Sequence, residues 1–173
     1  MTLSTHIVTG VAAAKIFSTN PVEAFLIGMA THYALDSIVH WDYKIHSLAS
    51  ESGGDSFSLD KKIKFNKLLF LDISKVMCDV LLGGAIVFLT LSFGSKDFDA
   101  YSWILIAGAL GGVAPDFLQF VYGVWKIWPL RKLQEFHNYM HAKKKLDGRP
   151  MIGVPIQIGI IALMATILFL QNF

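Results

Sequence analysis

Two short runs in this 173-residue chain place metal-binding side chains at helical spacing. His32-Tyr33-Ala34-Leu35-Asp36-Ser37-Ile38-Val39-His40 sets two imidazoles and a carboxylate at i, i+4 and i+8, and His137-Asn138-Tyr139-Met140-His141 repeats the i, i+4 step. Residues four apart on a helix are neighbours, with Cβ atoms about 5–6 Å apart. Side chains on successive turns can therefore share one ion, as in other helical HxxxH sites. Imidazole and carboxylate ligands without thiolates suit zinc, and also manganese or iron. His6, Asp79 and Asp116 join the candidate ligands by position along the chain. Asp42, two residues past His40, is a candidate orienting partner or general base, because a ligating histidine needs a partner for its other ring nitrogen.

Each residue also has a plainer role to weigh. Asp79 is placed to cap a helix or to pair with Lys75, and Asp116, after Pro115, to mark a kink. Asp72 pairs more naturally with Lys75 or Lys67 than with a metal, and His46 reads as incidental. The run Lys143-Lys144-Lys145 reads as charge that sets topology and faces anionic lipid.

The elements that must hold such a set are apolar. The chain is 54% hydrophobic and 16% charged, with a mean hydropathy of +0.52. A soluble domain is usually about 45–50% apolar and about 25% charged. The excess excludes intrinsic disorder and points to a small polytopic membrane protein. The single cysteine, Cys78, excludes an internal disulfide framework and a cysteine-cluster metal site. A net charge of +2 does not indicate a nucleic-acid partner.

Three stretches reach the length of about 20 mostly apolar residues that a span requires: Val76–Phe93, Ser102–Tyr122 and Ile152–Leu170. Thr5–Phe17 and Pro21–Val39 are weaker candidates, separated by a turn at Asn20-Pro21. The N-terminal stretch has no Lys or Arg before Lys15, so it reads as mature structure and not as a signal peptide. A helical pattern runs on from Asp60 toward Val76, and another covers Leu130–Leu146, with Pro129 at its start and Gly148 after its end. The expected fold is an all-α membrane bundle, forming one integral membrane domain over 1–173. About five helices cross and one interfacial helix lies on the cytoplasmic side. A mobile polar loop is expected around 47–58, where Gly53-Gly54 sits among serines.

Lys and Arg concentrate in 44–75 and in 126–149, which marks both as cytoplasmic and 94–100 as external. This orientation was set without the histidines or aspartates. It nevertheless brings His6, the His32, Asp36 and His40 run in the inner half of the second helix, Asp79, Asp116 and the His137/His141 pair to one membrane face. A charge in a membrane interior costs about 2.5–3.5 kcal/mol on insertion scales, so such a gathering has a purpose.

At these residues the chain resembles the small membrane-bound metal-dependent hydrolases of bacteria and archaea, which are distantly similar to zinc-dependent phospholipase C. The matching pieces are Thr5-His6 with Gly10, His32-xxx-Asp36-xxx-His40-Trp41-Asp42, Gly112-Val113-Ala114-Pro115-Asp116 and Phe136-His137-xxx-His141. Two departures stand out. The family's usual Pro-Asp-x-Asp-His element is only partly present, since Asp116 is followed by Phe117 and Leu118, and Asn138 stands where an arginine is frequent. The resemblance implies metals that activate water against a phosphoester, with a phospholipid as one candidate, at the inner membrane. Two other classes stay open on the sequence: a divalent-cation or proton transporter, which would spread polar residues through the bilayer depth, and a membrane protein that binds metal without catalysis.

Overall fold

The computed structural model describes residues 1–49, 62–93, 98–143, 146 and 148–171. The chain runs α1 (Leu3–Phe17), α2 (Pro21–Asp36), β1 (Leu48–Ala49), β2 (Lys62–Ile63), α3 (Lys67–Ser92), α4 (Phe98–Val124), α5 (Trp128–Met140) and α6 (Pro150–Leu170). The fold is all-α, with β1 and β2 forming only a two-residue antiparallel bridge, Leu48 opposite Ile63. Residues 50–58 of the expected mobile loop lie outside the described residues. So do 94–97 of the expected external loop and Lys144-Lys145.

Among the described residues three helices are long and apolar enough to cross a membrane: α3, α4 over Ser102–Val124, and α6. This corrects the expectation of about five. With 15 and 16 residues, α1 and α2 extend only about 22–24 Å at 1.5 Å per residue, short of the roughly 30 Å of a hydrocarbon core. The helix α1 packs against α2, α3, α4 and α6 and is buried from Leu3 to Ala14. Its composition explains this position. Ser4, Thr5, Thr9, Gly10 and Ala12-Ala13-Ala14 are small, so neighbours can close on every side. Toward its C-terminal half, Val11 and Ala12 join Leu91, Leu105 and Leu168 in an apolar core.

Close backbone approach locks α1, α2 and α4 together. A Cβ on Gly112 of α4 would lie 2.6 Å from the His6 carbonyl oxygen of α1, and one on Gly111 would overlap the Phe25 carbonyl oxygen of α2. Only glycine permits such contact.

Helix ends differ from the sequence reading for identifiable reasons. The Asn66 side chain accepts N–H bonds from Leu68 and Leu69 at 3.0 and 3.3 Å, so α3 begins there, while 62–63 pair with 48–49. Asp72 on α3 accepts from Ser47 N–H at 2.7 Å and pairs with Lys75 at 3.1 Å. Two helices stop early because their next backbone groups bind each other. Ala142 N–H donates to the Asp36 carbonyl at 2.7 Å, and Leu146 N–H to the His40 carbonyl at 2.9 Å. Thus α2 ends at Asp36, short of Val39, and α5 at Met140, short of Leu146. Conversely, α4 runs through Pro115 and Asp116 to Val124, so Asp116 lies within the helix and does not close it.

Candidate metal centre

Asp36, in the last turn of α2, is the point of convergence. Its carboxylate is 1% exposed. On the Oδ2 side stand His32 Nε2 at 3.1 Å, His137 Nε2 at 3.3 Å and His141 Nε2 at 3.6 Å. On the Oδ1 side stand His6 Nε2 at 3.2 Å and His40 Nε2 at 3.8 Å. The rings pack on one another: His6 stacks on His32 with centroids 3.9 Å apart, and His137 on His141 at 5.7 Å. Asp116 Oδ1 lies 3.8 Å from both His32 Nε2 and His137 Nε2. Four of the five segments that supplied the sequence set therefore meet at one place.

Only His32 and Asp36 share a helix as the i, i+4, i+8 pattern predicted. His40 lies beyond the α2 cap residue Ser37, and His141 is the extended C-cap of α5 with ψ 138°. The pairing of the two segments that leave α2 and α5 carries His40 and His141 into the cluster, their rings 4.8 Å apart.

Tautomers follow from the carbonyl partners. A carbonyl only accepts, so His32 Nδ1–H donates to Gly112 O at 2.7 Å and His40 Nδ1–H to Ile38 O at 2.7 Å. His32 Nε2 is left with a lone pair aimed at the cluster, the second-partner arrangement of metal-binding histidines, while His40 Nε2 is engaged by Asp42 Oδ2 at 3.2 Å. The inward atoms His6 Nε2, His32 Nε2, His137 Nε2 and Asp36 Oδ2 are buried and, although close together, are not aligned in hydrogen bonds. Buried polar atoms are nearly always satisfied. A lone-pair donor set converging on one point fits a divalent cation. Two groups have ligand atoms within 4.8 Å of one another: His32, Asp36, Asp116 and His137, and, sharing Asp36, the group Asp36, His40 and His141.

The amino group of Met1 pairs with two carboxylates of the centre. It lies 3.2 Å from Asp36 Oδ1 and 2.7 Å from Asp42 Oδ1. Burial opposes its charge, but Asp36, Asp42 and Asp116 outweigh burial and raise its pKa. Asp42 also lies 3.2 Å from His40 Nε2 through Oδ2. Burial raises the Asp42 carboxyl, yet the His40 hydrogen bond and the Met1 charge prevail and hold it well below the usual carboxylate range.

Asp79 stands apart from this centre. Its Oδ2 accepts the Leu3 N–H at 2.6 Å and its Oδ1 the Ser4 N–H at 3.3 Å, so it caps α1 from α3. Thr2, the N-cap residue, supplies no side-chain cap of its own. Burial and then Asp79 push the Tyr43 phenol up from its ordinary value. Asp79→Ala is expected to cost about 1–2 kcal/mol of stability, the worth of a strong helix cap, and to leave bound metal unchanged. Thermal melting and metal analysis of the variant check both, and loss of metal would return Asp79 to the ligand set. His46 also stays outside, 3.6 Å from Asp72, with its side chain 55% exposed.

The sequence reading missed one supporting residue that had a visible signal. Gln157 is the amide within the otherwise apolar α6. It accepts from Thr2 N–H at 2.8 Å and donates to the Trp41 carbonyl at 2.8 Å, which fixes the loop that carries His40 and Asp42.

Comparison with protein-family models, curated proteins and solved structures found no match for this chain.

Proposed function

We propose that this chain is a membrane metal-dependent hydrolase acting on a phosphoester, with a phospholipid headgroup as the natural candidate, at the cytoplasmic face of the cell membrane. The observation that carries the reading is the Asp36 carboxylate ringed by five imidazoles, three of which, His6, His32 and His137, hold their inward Nε2 atoms buried and without hydrogen bonds. His32, Asp36, Asp116 and His137 would hold one ion. Asp36, His40 and His141 would hold a second, with Asp36 shared. His6 closes the wall behind Asp36 by stacking on His32. Bound divalent ions would polarise a phosphoryl oxygen and supply hydroxide near neutral pH.

The chain's own groups have definable roles around that chemistry. The side chains of Asp42 and Asp116 are 25% and 30% exposed, whereas Asp36 and the cluster histidines are closed off. The open edge of the centre lies between those two carboxylates. Asp42, ionised and hydrogen-bonded to His40, is the group placed to accept a proton from water. Lys126, Arg131, Lys132 and Lys143 lie on or beside the amphipathic α5, where they would draw an anionic substrate to the interface. Exposed Trp125, Trp128 and Tyr139 suit a headgroup-level position for that helix. The far half of α1 is sealed by the apolar core of Val11, Leu91, Leu105 and Leu168, which favours a one-sided hydrolytic site over an ion path.

The direct test is turnover. Purified protein should hydrolyse a chromogenic phosphodiester or phospholipid vesicles, lose that activity to a chelator, and regain it with zinc or manganese. Turnover indifferent to chelation would overturn the reading. Metal-driven uptake into liposomes would replace it with transport, and bound metal with no turnover on a phosphoester panel would leave a non-catalytic metal protein.

A further inference from the structure

The outer side of the metal centre holds two buried polar atoms of opposite hydrogen-bonding sense. His137 points Nε2 at Asp36, and its Nδ1 on the other edge of the ring has no hydrogen-bond partner. Gln134, three residues earlier on α5, is 5% exposed, and its Oε1 also has no partner. The two residues line the same narrow crevice between α2, α4 and α5, walled by Tyr33, Pro115 and Leu118. Both atoms are closed off from the surface.

Helix geometry relates the pair. Residues at i and i+3 are neighbours on one face, and helical side chains lean back over the preceding turn. The His137 ring therefore lies over the turn that carries Gln134. The Gln134 amide is already oriented, because its Nε2 donates to Asn138 Oδ1 at 2.7 Å. That bond occupies the NH₂ end and leaves the carbonyl end for a donor. A histidine that gives Nε2 to a metal carries its proton on Nδ1, and its affinity depends on a partner for that proton. His32 has the Gly112 carbonyl in this role, and His40 has that of Ile38. His137 has no such backbone carbonyl, and Gln134 is the acceptor next to it.

We propose that Gln134 is a positioning residue of the metal centre: its amide oxygen accepts His137 Nδ1–H when the ion is bound and so holds Nε2 on the ion, with Asn138 fixing the amide. The assignment rests on the metal-binding reading above. It also gives Asn138 a function in this chain, that of fixing the Gln134 amide.

The test is zinc affinity, measured by competition with a chromophoric chelator on wild-type protein, Gln134→Leu and Gln134→Glu. Gln134→Leu should bind zinc about 10–100-fold more weakly, the usual loss when a supporting partner is removed. Gln134→Glu, which keeps an acceptor at the same reach, should recover affinity close to wild type. Metal-free melting of all three checks that the fold is intact, and a merely structural role would not be rescued by glutamate. Unchanged affinity in Gln134→Leu overturns the proposal and leaves the metal reading standing. Equal weakening in both variants overturns it as well. Wild-type protein that takes up no zinc would remove the metal reading itself, and this assignment with it.

Discussion

Asp36→Asn is expected to lower zinc affinity by more than about 100-fold, beyond the upper end of what loss of a supporting group costs, and to lower the melting temperature of the metal-free protein as well. Both halves follow from the position of Asp36. Its two oxygens face different histidines, Oδ1 toward His6 and His40 and Oδ2 toward His32, His137 and His141. It is also the residue common to the two candidate ion groups. Asparagine keeps the shape but removes the anionic charge that makes the centre attractive to a divalent cation. In the metal-free state its charge is paired with the Met1 ammonium 3.2 Å away, and removing one side of a buried pair costs about 3–5 kcal/mol. Isothermal titration with zinc and melting with and without metal separate the two effects. A variant that binds zinc like wild type would show that the histidines alone form the site.

The second large effect is expected from the glycines that press α4 onto α1 and α2. Gly112→Ala puts a methyl group 2.6 Å from the His6 carbonyl oxygen. Gly111→Ala drives one into the Phe25 backbone. In each case the contacting atom belongs to a helix backbone, which cannot turn aside as a side chain can. Overpacking of this kind costs about 1–3 kcal/mol. At Gly112 the penalty extends to the centre, because the same residue's carbonyl accepts the His32 Nδ1–H at 2.7 Å. Gly112→Ala should therefore lose both thermal stability and zinc affinity. Gly84→Ala is the control. Nothing lies within 4 Å of a Cβ there, and alanine is the better helix former by about 1 kcal/mol. It should melt at or above wild type with metal binding intact.

Much of the centre was legible in the sequence because its residue types are costly in an apolar chain. His32, Asp36, His137 and Asp116 announce themselves by being where a greasy helix has no use for them, and all reach one place. The path by which they meet was less visible. His40 and His141 were read as helical at the i+4 step, yet both lie past helix ends. Their position comes from Ala142 and Leu146 donating to carbonyls of the segment after α2. Pairing between segments 100 residues apart leaves no local periodicity. Asp79 misled for a related reason: a carboxylate bonded to the N-terminal amides of another helix has the same sequence appearance as a ligand. The count of membrane helices was overestimated because α1 is apolar enough to span. It is apolar because it is the centre of the bundle, and its length of 15 residues reflects that role.

The central claim is that the Asp36 cluster binds divalent metal, and metal content decides it most directly. Protein extracted gently from membranes of cells supplied with zinc, manganese and iron should carry about two ions per chain, the number a shared carboxylate supports in two-metal hydrolytic sites. His32→Ala combined with His137→Ala should remove most of that metal. Less than about one ion per chain in the wild-type protein, unchanged by the double substitution, would contradict the account.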